Sequence, residues 1–374
     1  LPCGFLSIPF MFIHPPLAET LLVAGTWSLD IVSVYLGFLN RLPLSVLWLP
    51  DLDMVLIILY YGSLLVVLST ASNRIKSISC LTAAVTLALF FLPLTGLNAR
   101  FRTAHSVSFI DVGQGSSSLL QLAGGRTVII DAGATTTPGF DCGEKIVAPY
   151  LWAQGIGLID DVVLTHADAD HYNGIPALLK RFRPARLWLP ANQSEKPGYQ
   201  LLVAEALELG IDVKYPGDGL FITDGYASLS VIDSGRADHL GEEMRETRTT
   251  SQNNDRGLIV SLQTPEFSVL FPGDISSIRE RELIGAESKL HHDILLSPHH
   301  GSATSNSSEF LKAVKPRYMV VSAGKRRSGL FPAETTRESA DIWGIKMLST
   351  VETGTVTVTG SDKSFSVKTS VEEK

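Results

Sequence analysis

The chain has 374 residues, with 31 basic and 38 acidic side chains and a formal net charge of −7, so it is longer than one average domain and acidic in balance. That balance excludes a protein that coats nucleic acid through a broad basic surface. Of its three cysteines, Cys3, Cys80 and Cys142, one lies beyond residue 100, which excludes a disulfide framework, a zinc ribbon or a CxxC redox pair in that part.

Charge divides the chain in two. Residues 1–99 hold Arg41, Arg74, Lys76, Glu19, Asp30, Asp51 and Asp53 and no other formal charge, while residues 100–374 have an ordinary, mildly acidic composition. Two units, 1–99 and 100–374, are therefore expected. Residues 1–18 are apolar but interrupted by Pro9, Pro15 and Pro16, as in a broken or interfacial segment. Residues 21–40 (interrupted by Asp30), 54–72 and 77–99 each approach or exceed the ~20 apolar residues that span a bilayer as a helix. One such run could be a buried core helix; three in succession predict an all-α transmembrane segment. The start at Leu1, inside a hydrophobic run, suggests a piece of a larger membrane protein. Arg74 and Lys76, between the last two spans, favour a cytoplasmic loop and place residue 100 onward on the extracytoplasmic side. Arg100 and Arg102 set an equal count at the other end, so charge alone leaves both orientations open.

From residue 101 short β-branched runs alternate with polar or glycine-rich loops. Residues 107–110 precede DVGQG, 127–130 precede DAG, and 162–164 precede THADADH. Further on, 268–271 precede PGD, 294–296 precede SPHHGS, and 318–322 precede AGKRRSG. Ile175, Leu178, Leu179 and Phe182 recur at i, i+3, i+4 and i+7, one face of a helix. TVTVTG and KSFSVK near the C-terminus alternate as a half-buried antiparallel edge would. Strand–loop–helix units predict an α/β layered sandwich.

The polar residues are placed where such a sandwich puts function. His166, Asp168, Asp170 and His171 follow one strand, Asp274 follows a second, and His299 and His300 follow a third. Loops at strand ends of α/β sheets converge, so these side chains can meet at one point. Imidazole and carboxylate together suit zinc, manganese or iron, and a shared carboxylate can bridge two ions. Without a cation, two Asp and two His within six residues would repel and desolvate one another at a cost of several kcal/mol. An Asp-His pair before a helix is often only a cap, but capping explains Asp170 at most. His291 and His292 lie before a strand and read as bland.

The five motifs in order, DVGQG (111–115), IIDAG (129–133), THADADH (165–171), PGD (272–274) and PHHGS (298–302), resemble the ComEC-type DNA-internalisation competence proteins. Those are polytopic membrane proteins whose C-terminal domain has the metallo-β-lactamase fold, an αββα sandwich. The resemblance covers residues 105–370 and implies a His-x-[His/Asp]-x-Asp-His loop at 166–171. It implies that His166 and Asp168 hold one metal and Asp170 and His171 another. Asp274 would bridge them or join the first site, and His299 or His300 would complete the second or donate a proton. Asp131 and Asp111 would orient ligands from behind. Two divalent ions, Mn²⁺ or Zn²⁺, are implied, with the additional oxygen ligand Asp168 favouring Mn²⁺.

The implied activity is two-metal phosphodiester hydrolysis, degrading one DNA strand while the other enters the cell. The implied partners are DNA, single-stranded or a duplex being unwound, the lipid bilayer, and other DNA-uptake components, at the inner (cytoplasmic) membrane. Two departures stand out: Ser116 where an acidic residue often follows DVGQG, and Phe331-Pro332 where a His-Pro pair is expected. Lys325, Arg326 and Arg327 are better candidates for touching DNA than Arg181, Arg183 and Arg186, because their loop should open on the metal side. Two other readings compete: a hydrolase of a small ester, lactone or β-lactam on the same fold, and a metal-poor, non-enzymatic accessory of a DNA channel.

Overall fold

The structure is a computed structural model that describes residues 2–39, 54–69, 72–92, 101–135, 139–191, 194–235, 254–286, 289–324 and 331–371. By packing, the chain forms two compact units, Leu1–Trp48 and Leu49–Lys374. By composition it changes near residue 100.

The first unit contains α1 (Pro2–Ile13) and α2 (Pro15–Leu39), which pack on each other. The break at His14 has a local cause: prolines 15 and 16 lack N–H groups and restrict the residue before them. His14 then caps α2, with the Leu17 N–H donating to its Nδ1 at 3.2 Å. The second unit opens with the packed pair α3 (Met54–Leu68) and α4 (Asn73–Phe91).

Among the described residues, α2 and α4 are long and apolar enough to cross a membrane. With 15 residues, α3 rises about 22 Å, short of a ~30 Å hydrocarbon core. Trp27, Ile31, Tyr35 and Phe38 of α2 and Ile78 and Leu81 of α4 face outward. Hydroxyls on these helices return to their own backbone, Thr20 to Pro16 O (2.9 Å), Ser28 to Ala24 O (2.9 Å) and Thr82 to Ile78 O (3.1 Å). An apolar medium demands such internal satisfaction.

The sandwich follows. Its first half comprises β1 (Ser106–Phe109), β2 (Ser117–Gln121), β3 (Thr127–Ala132), α5 (Ala148–Ala153), β4 (Asp161–Val163), α6 (Ala169–Tyr172), α7 (Ile175–Phe182), β5 (Arg186–Trp188), α8 (Pro197–Glu208) and β6 (Asp212–Lys214). Next come β7 (Gly219–Asp224), β8 (Ala227–Asp233), β9 (Ile259–Gln263), β10 (Ser268–Phe271), α9 (Ser277–Gly285), β11 (Ile294–Leu296), α10 (Ser308–Val314) and β12 (Tyr318–Val321). The chain ends with α11 (Glu334–Ile342), β13 (Lys346–Ser349), α12 (Thr350–Thr353), β14 (Val356–Ser361) and β15 (Ser364–Thr369).

Among the described residues the strands make two sheets, ordered β15-β14-β1-β2-β3-β4-β5-β6 and β13-β12-β11-β10-β9-β8-β7. Pairing is parallel from β3 to β6 and from β10 to β13, and antiparallel elsewhere. Successive side chains of a strand point to opposite faces, and here both faces are apolar. Val128 and Ile130 of β3, Val163 of β4, Val269 and Phe271 of β10 and Ile294 of β11 fill the core between the sheets. Their neighbours Ile129 and Val162 face Ile175, Leu178, Leu179 and Phe182 of α7. Leu270 and Leu295 face Leu283, Phe310 and Leu311 of α9 and α10. The result is the expected αββα layering. Fully burying each of these aliphatic side chains contributes about 1.5–3 kcal/mol.

The expected strands and the α7 stripe appear where their patterns put them, and β14–β15 form an antiparallel edge. Strands β2, β5–β9 and β13 add to the eight inferred from sequence. Cys142 is buried, and burial pushes its thiol up to about 12, so it is inert.

Candidate metal centre

The parallel strands deliver the site. Asp131 ends β3, the 165–171 loop follows β4, Asp274 follows β10, His300 follows β11, and Ser322 follows β12. All these ends lie at one rim of the sandwich.

Two glycine motifs set how closely the loops approach. Gly115 has φ +153, and a Cβ there would fall 2.6 Å from Ala134 Cα and 2.8 Å from the Asp170 carbonyl oxygen. A Cβ on Gly133 would strike the Asp170–His171 peptide. The contact is stitched by Ser116 N–H donating to Asp170 O (3.0 Å), Gly133 N–H to Ser116 O (3.0 Å) and Ser322 Oγ to Gly115 O (2.7 Å). Thus DVGQG and DAG act as a bed for the ligand loop.

Three buried imidazoles share one design. His171 Nδ1–H donates to Asp131 Oδ2 at 2.8 Å. Thr165 Oγ1 gives its proton to the same oxygen (2.8 Å), so it accepts from His166 Nδ1 at 3.1 Å. His300 Nδ1–H donates to the Ser322 carbonyl at 2.9 Å. Each ring therefore spends its Nδ1 on an acceptor and leaves Nε2 facing the centre, where none of the three Nε2 atoms has a hydrogen-bond partner. Fixing a histidine through one nitrogen to present the other is how proteins orient metal ligands.

Carboxylates stand among these lone pairs. Asp274 Oδ1 is 3.2 Å from His171 Nε2, and its Oδ2 is 3.9 Å from His166 Nε2 and 3.5 Å from His300 Nε2. Asp170 Oδ2 is 3.6 Å from His300 Nε2, and Asp168 Oδ2 is 4.0 Å from His166 Nε2. Among the described residues two triads with ligand atoms mutually within 4.8 Å emerge, His166–His171–Asp274 and Asp170–His171–His300. Buried ring nitrogens that make no hydrogen bond, opposite carboxylates, fit a divalent cation.

The electrostatics of the cluster agree. Burial opposes charge on His171, but Asp274 and Asp131 outweigh it and hold the ring well above the ordinary histidine range. His300 is likewise opposed by burial and raised by Asp274 and Asp170. His166 goes the other way: burial, then repulsion from His171, lowers it to about 4. Burial would raise Asp274 and Asp170, yet the neighbouring histidines hold both well below the carboxylate range. A proton on the His171 ring is the charge that a metal cation would replace.

The remaining candidates are placed as follows. Asp131, at φ +56, is buried behind the cluster and orients His171 and Thr165. His299 is half-exposed, with Thr304 Oγ1 at 3.3 Å from its Nδ1, beside the triads but in neither. Asp111 corrects its expectation. It is exposed, and its carboxylate accepts the Gly113 N–H (3.1 Å), so it shapes a turn and touches no residue of the cluster among the described residues. Ser116 is buried and lines the cavity beside Asp131, Thr165 and His171. Pro332, next to Phe331, packs on Gly301, directly after His300.

Arg181 pairs with Glu144 and Arg186 with Asp161, and Arg183 ends α7 in the left-handed conformation, so that cluster serves the fold. Lys325, Arg326 and Arg327 lie outside the described residues. His292 is a satisfied core residue, with Ser261 Oγ at 2.6 Å from its Nε2 and its Nδ1 donating to Leu290 O at 2.8 Å. Sequence reasoning passed over Thr165, although it sits inside the THADADH run. It also passed over the Ser322 carbonyl, a backbone group that carries no sequence signal, and Lys196, which contacts Asp168.

A sandwich of this layering, with this rim of histidines and aspartates, defines a class: the chain belongs to the metallo-beta-lactamase superfamily, whose family model matches residues 110–325. Within that class its relatives include competence and recombination proteins. It is 27% identical over 315 residues to ComE operon protein 3 of Bacillus subtilis, covering 81% of this chain and 39% of that protein. Recombination protein 2 of Haemophilus influenzae is 24% identical over 287 residues, 77% of this chain and 32% of that protein. Competence protein ComA of Neisseria gonorrhoeae is 27% identical over 247 residues, 66% of this chain and 31% of that protein. The similarity to ComEC-type competence proteins inferred from motif order is therefore a finding, and the chain spans two fifths or less of the length of these relatives.

Proposed function

We propose that the chain is part of a membrane-anchored, metal-dependent phosphodiesterase that degrades one DNA strand during uptake in natural transformation. The observation that carries the reading is the convergence of three buried, unpartnered Nε2 atoms on Asp274 and Asp170. The similarity to competence proteins supports DNA as the substrate. The long apolar helices α2 and α4 supply the anchor, with residues 1–99 as the membrane part, 100–374 as the catalytic part, and an inner-membrane location facing outward.

His166, Asp168, Asp170, His171, Asp274 and His300 would hold two divalent ions, Mn²⁺ or Zn²⁺, with Asp274 shared because it reaches all three histidines. Bound there, such ions would supply Lewis-acid polarisation of a phosphoryl oxygen and a water of lowered pKa. Asp131 keeps His171 in the tautomer that presents Nε2. His299, half-exposed with Nδ1 facing Thr304, is the group to hand a proton from Nε2 to the leaving oxygen.

The test uses the full chain in detergent, with metal content by mass spectrometry and cleavage of single- and double-stranded DNA with Mn²⁺ or Zn²⁺. Metal-dependent cleavage that Asp170→Ala abolishes is expected. Cleavage indifferent to Asp170→Ala, or turnover of lactones and esters with none of DNA, overturns the reading. An empty centre would return the site to a metal-poor accessory, the reading that Phe331 in place of histidine favours.

A further inference from the structure

Asp168 is divided between two partners. Its Oδ2 faces His166 Nε2 at 4.0 Å, while its Oδ1 is held by the Lys196 ammonium. Among the described residues, Lys196 is the only lysine or arginine paired with a carboxylate of the cluster. It comes from the turn before α8, 28 residues beyond Asp168, and that turn is fixed from two sides. The Lys196 N–H donates to Ser194 Oγ (3.2 Å), and Gln200 Nε2 donates to Ser194 O (2.6 Å). Tyr172, from α6 of the ligand loop itself, presses its hydroxyl where a side chain on Gly198 would be. The lysine side chain is 43% exposed and Asp168 26%, so the pair lies at the solvent lip of the site.

An exposed pair of this kind adds little to stability, so its placement asks for another reason. An ammonium has three donors and Asp168 takes one, leaving the rest for an arriving acceptor. The aspartates of the cluster would be balanced by the two ions they hold, and a compact cation at the lip would add a point charge that suits a phosphate oxygen. A neutral ester has no group that needs it.

We propose that Lys196 selects a phosphate-bearing substrate, holding the outer oxygen of Asp168 and offering its free N–H donors to a non-bridging phosphate oxygen. This rests on the phosphodiesterase reading and names the residue that distinguishes it from an esterase.

The test compares the Mn²⁺-loaded full chain in detergent with Lys196→Gln and Lys196→Arg. One arm measures hydrolysis of bis(p-nitrophenyl) phosphate; the other measures binding of inorganic phosphate by calorimetry across ionic strength. Lys196→Gln should raise KM about tenfold with little change in kcat, weaken phosphate binding by a similar factor and flatten its salt dependence. Lys196→Arg should restore most of both. An unchanged KM, a loss confined to kcat, or a loss of bound metal in Lys196→Gln overturns the inference, the last because the lysine would then serve only Asp168. If the wild type hydrolyses no phosphodiester with any metal, the functional reading fails separately. The binding arm still decides, since equal phosphate affinity in wild type and Lys196→Gln refutes the inference.

Discussion

Asp131→Asn isolates the role of the buried carboxylate behind the ligand histidines. Asp131 accepts three bonds of 2.8 Å, from Thr165 N–H to Oδ1 and from Thr165 Oγ1 and His171 Nδ1 to Oδ2. Asparagine has the same shape and tolerates the left-handed backbone at φ +56, so the substitution changes hydrogen-bond polarity and little else. One face becomes an NH₂ that meets either the Thr165 N–H or the Thr165–His171 pair, and a donor then faces a donor. A buried donor left unpaired costs about 1–3 kcal/mol. If the NH₂ faces His171, the ring must accept at Nδ1 and carry its proton on Nε2, which removes it from both triads. Metal affinity should fall about 10–100-fold, or about 1.4–2.7 kcal/mol. Calorimetric Mn²⁺ or Zn²⁺ titration of the full chain, with thermal unfolding of the metal-free form, measures both terms. A metal affinity within about twofold of wild type would refute the argument that Asp131 fixes the tautomer.

Asp111→Ala should leave metal content unchanged and lower stability by about 0.5–1 kcal/mol, the worth of one exposed turn bond; metal loss would mean that Asp111 reaches the site after all. Glu280→Ala strips the acceptors of the Asn306 and Ser307 N–H groups, at 2.6 and 2.9 Å. It should cost about 2–4 kcal/mol in denaturant unfolding, and because Asn306 in turn holds Pro298 O, the His300 loop should bind metal less tightly. Burial lowers the His292 pKa, with the Leu290 carbonyl opposing, so its stabilising effect is present above the unfolded value of about 6.5 and lost as pH falls through the folded one. The stability gap between about pH 7.5 and about pH 5 should narrow in His292→Gln; an unchanged gap would exclude that residue. Gly133→Ala should abolish metal binding even where circular dichroism stays native, because its Cβ strikes the Asp170–His171 peptide; full metal content would show that the loop can move aside.

Short-range patterns were legible in the sequence because their causes are short-range. The stripe Ile175, Leu178, Leu179, Phe182 marked α7, and β-branched runs ending in polar loops marked the strands that carry ligands. Asp111 was misplaced because a DVGQG aspartate at a strand end looks like any other strand-end carboxylate. Only the fold shows that its oxygen turns back to Gly113.

The sequence by itself determined the α/β layered class, the loops that carry the histidines and aspartates, and the apolar composition of the first hundred residues, since side-chain period and charge are properties of consecutive residues; the αββα order was implied by the resemblance in motif order. Tertiary structure decided which ring nitrogen each histidine presents, that Asp274 stands between all three, and that Lys196 reaches Asp168. Those outcomes depend on partners 22 to 40 residues away or more, such as Ser322 for His300 and Asp131 for His171, and on backbone carbonyls that no residue type encodes.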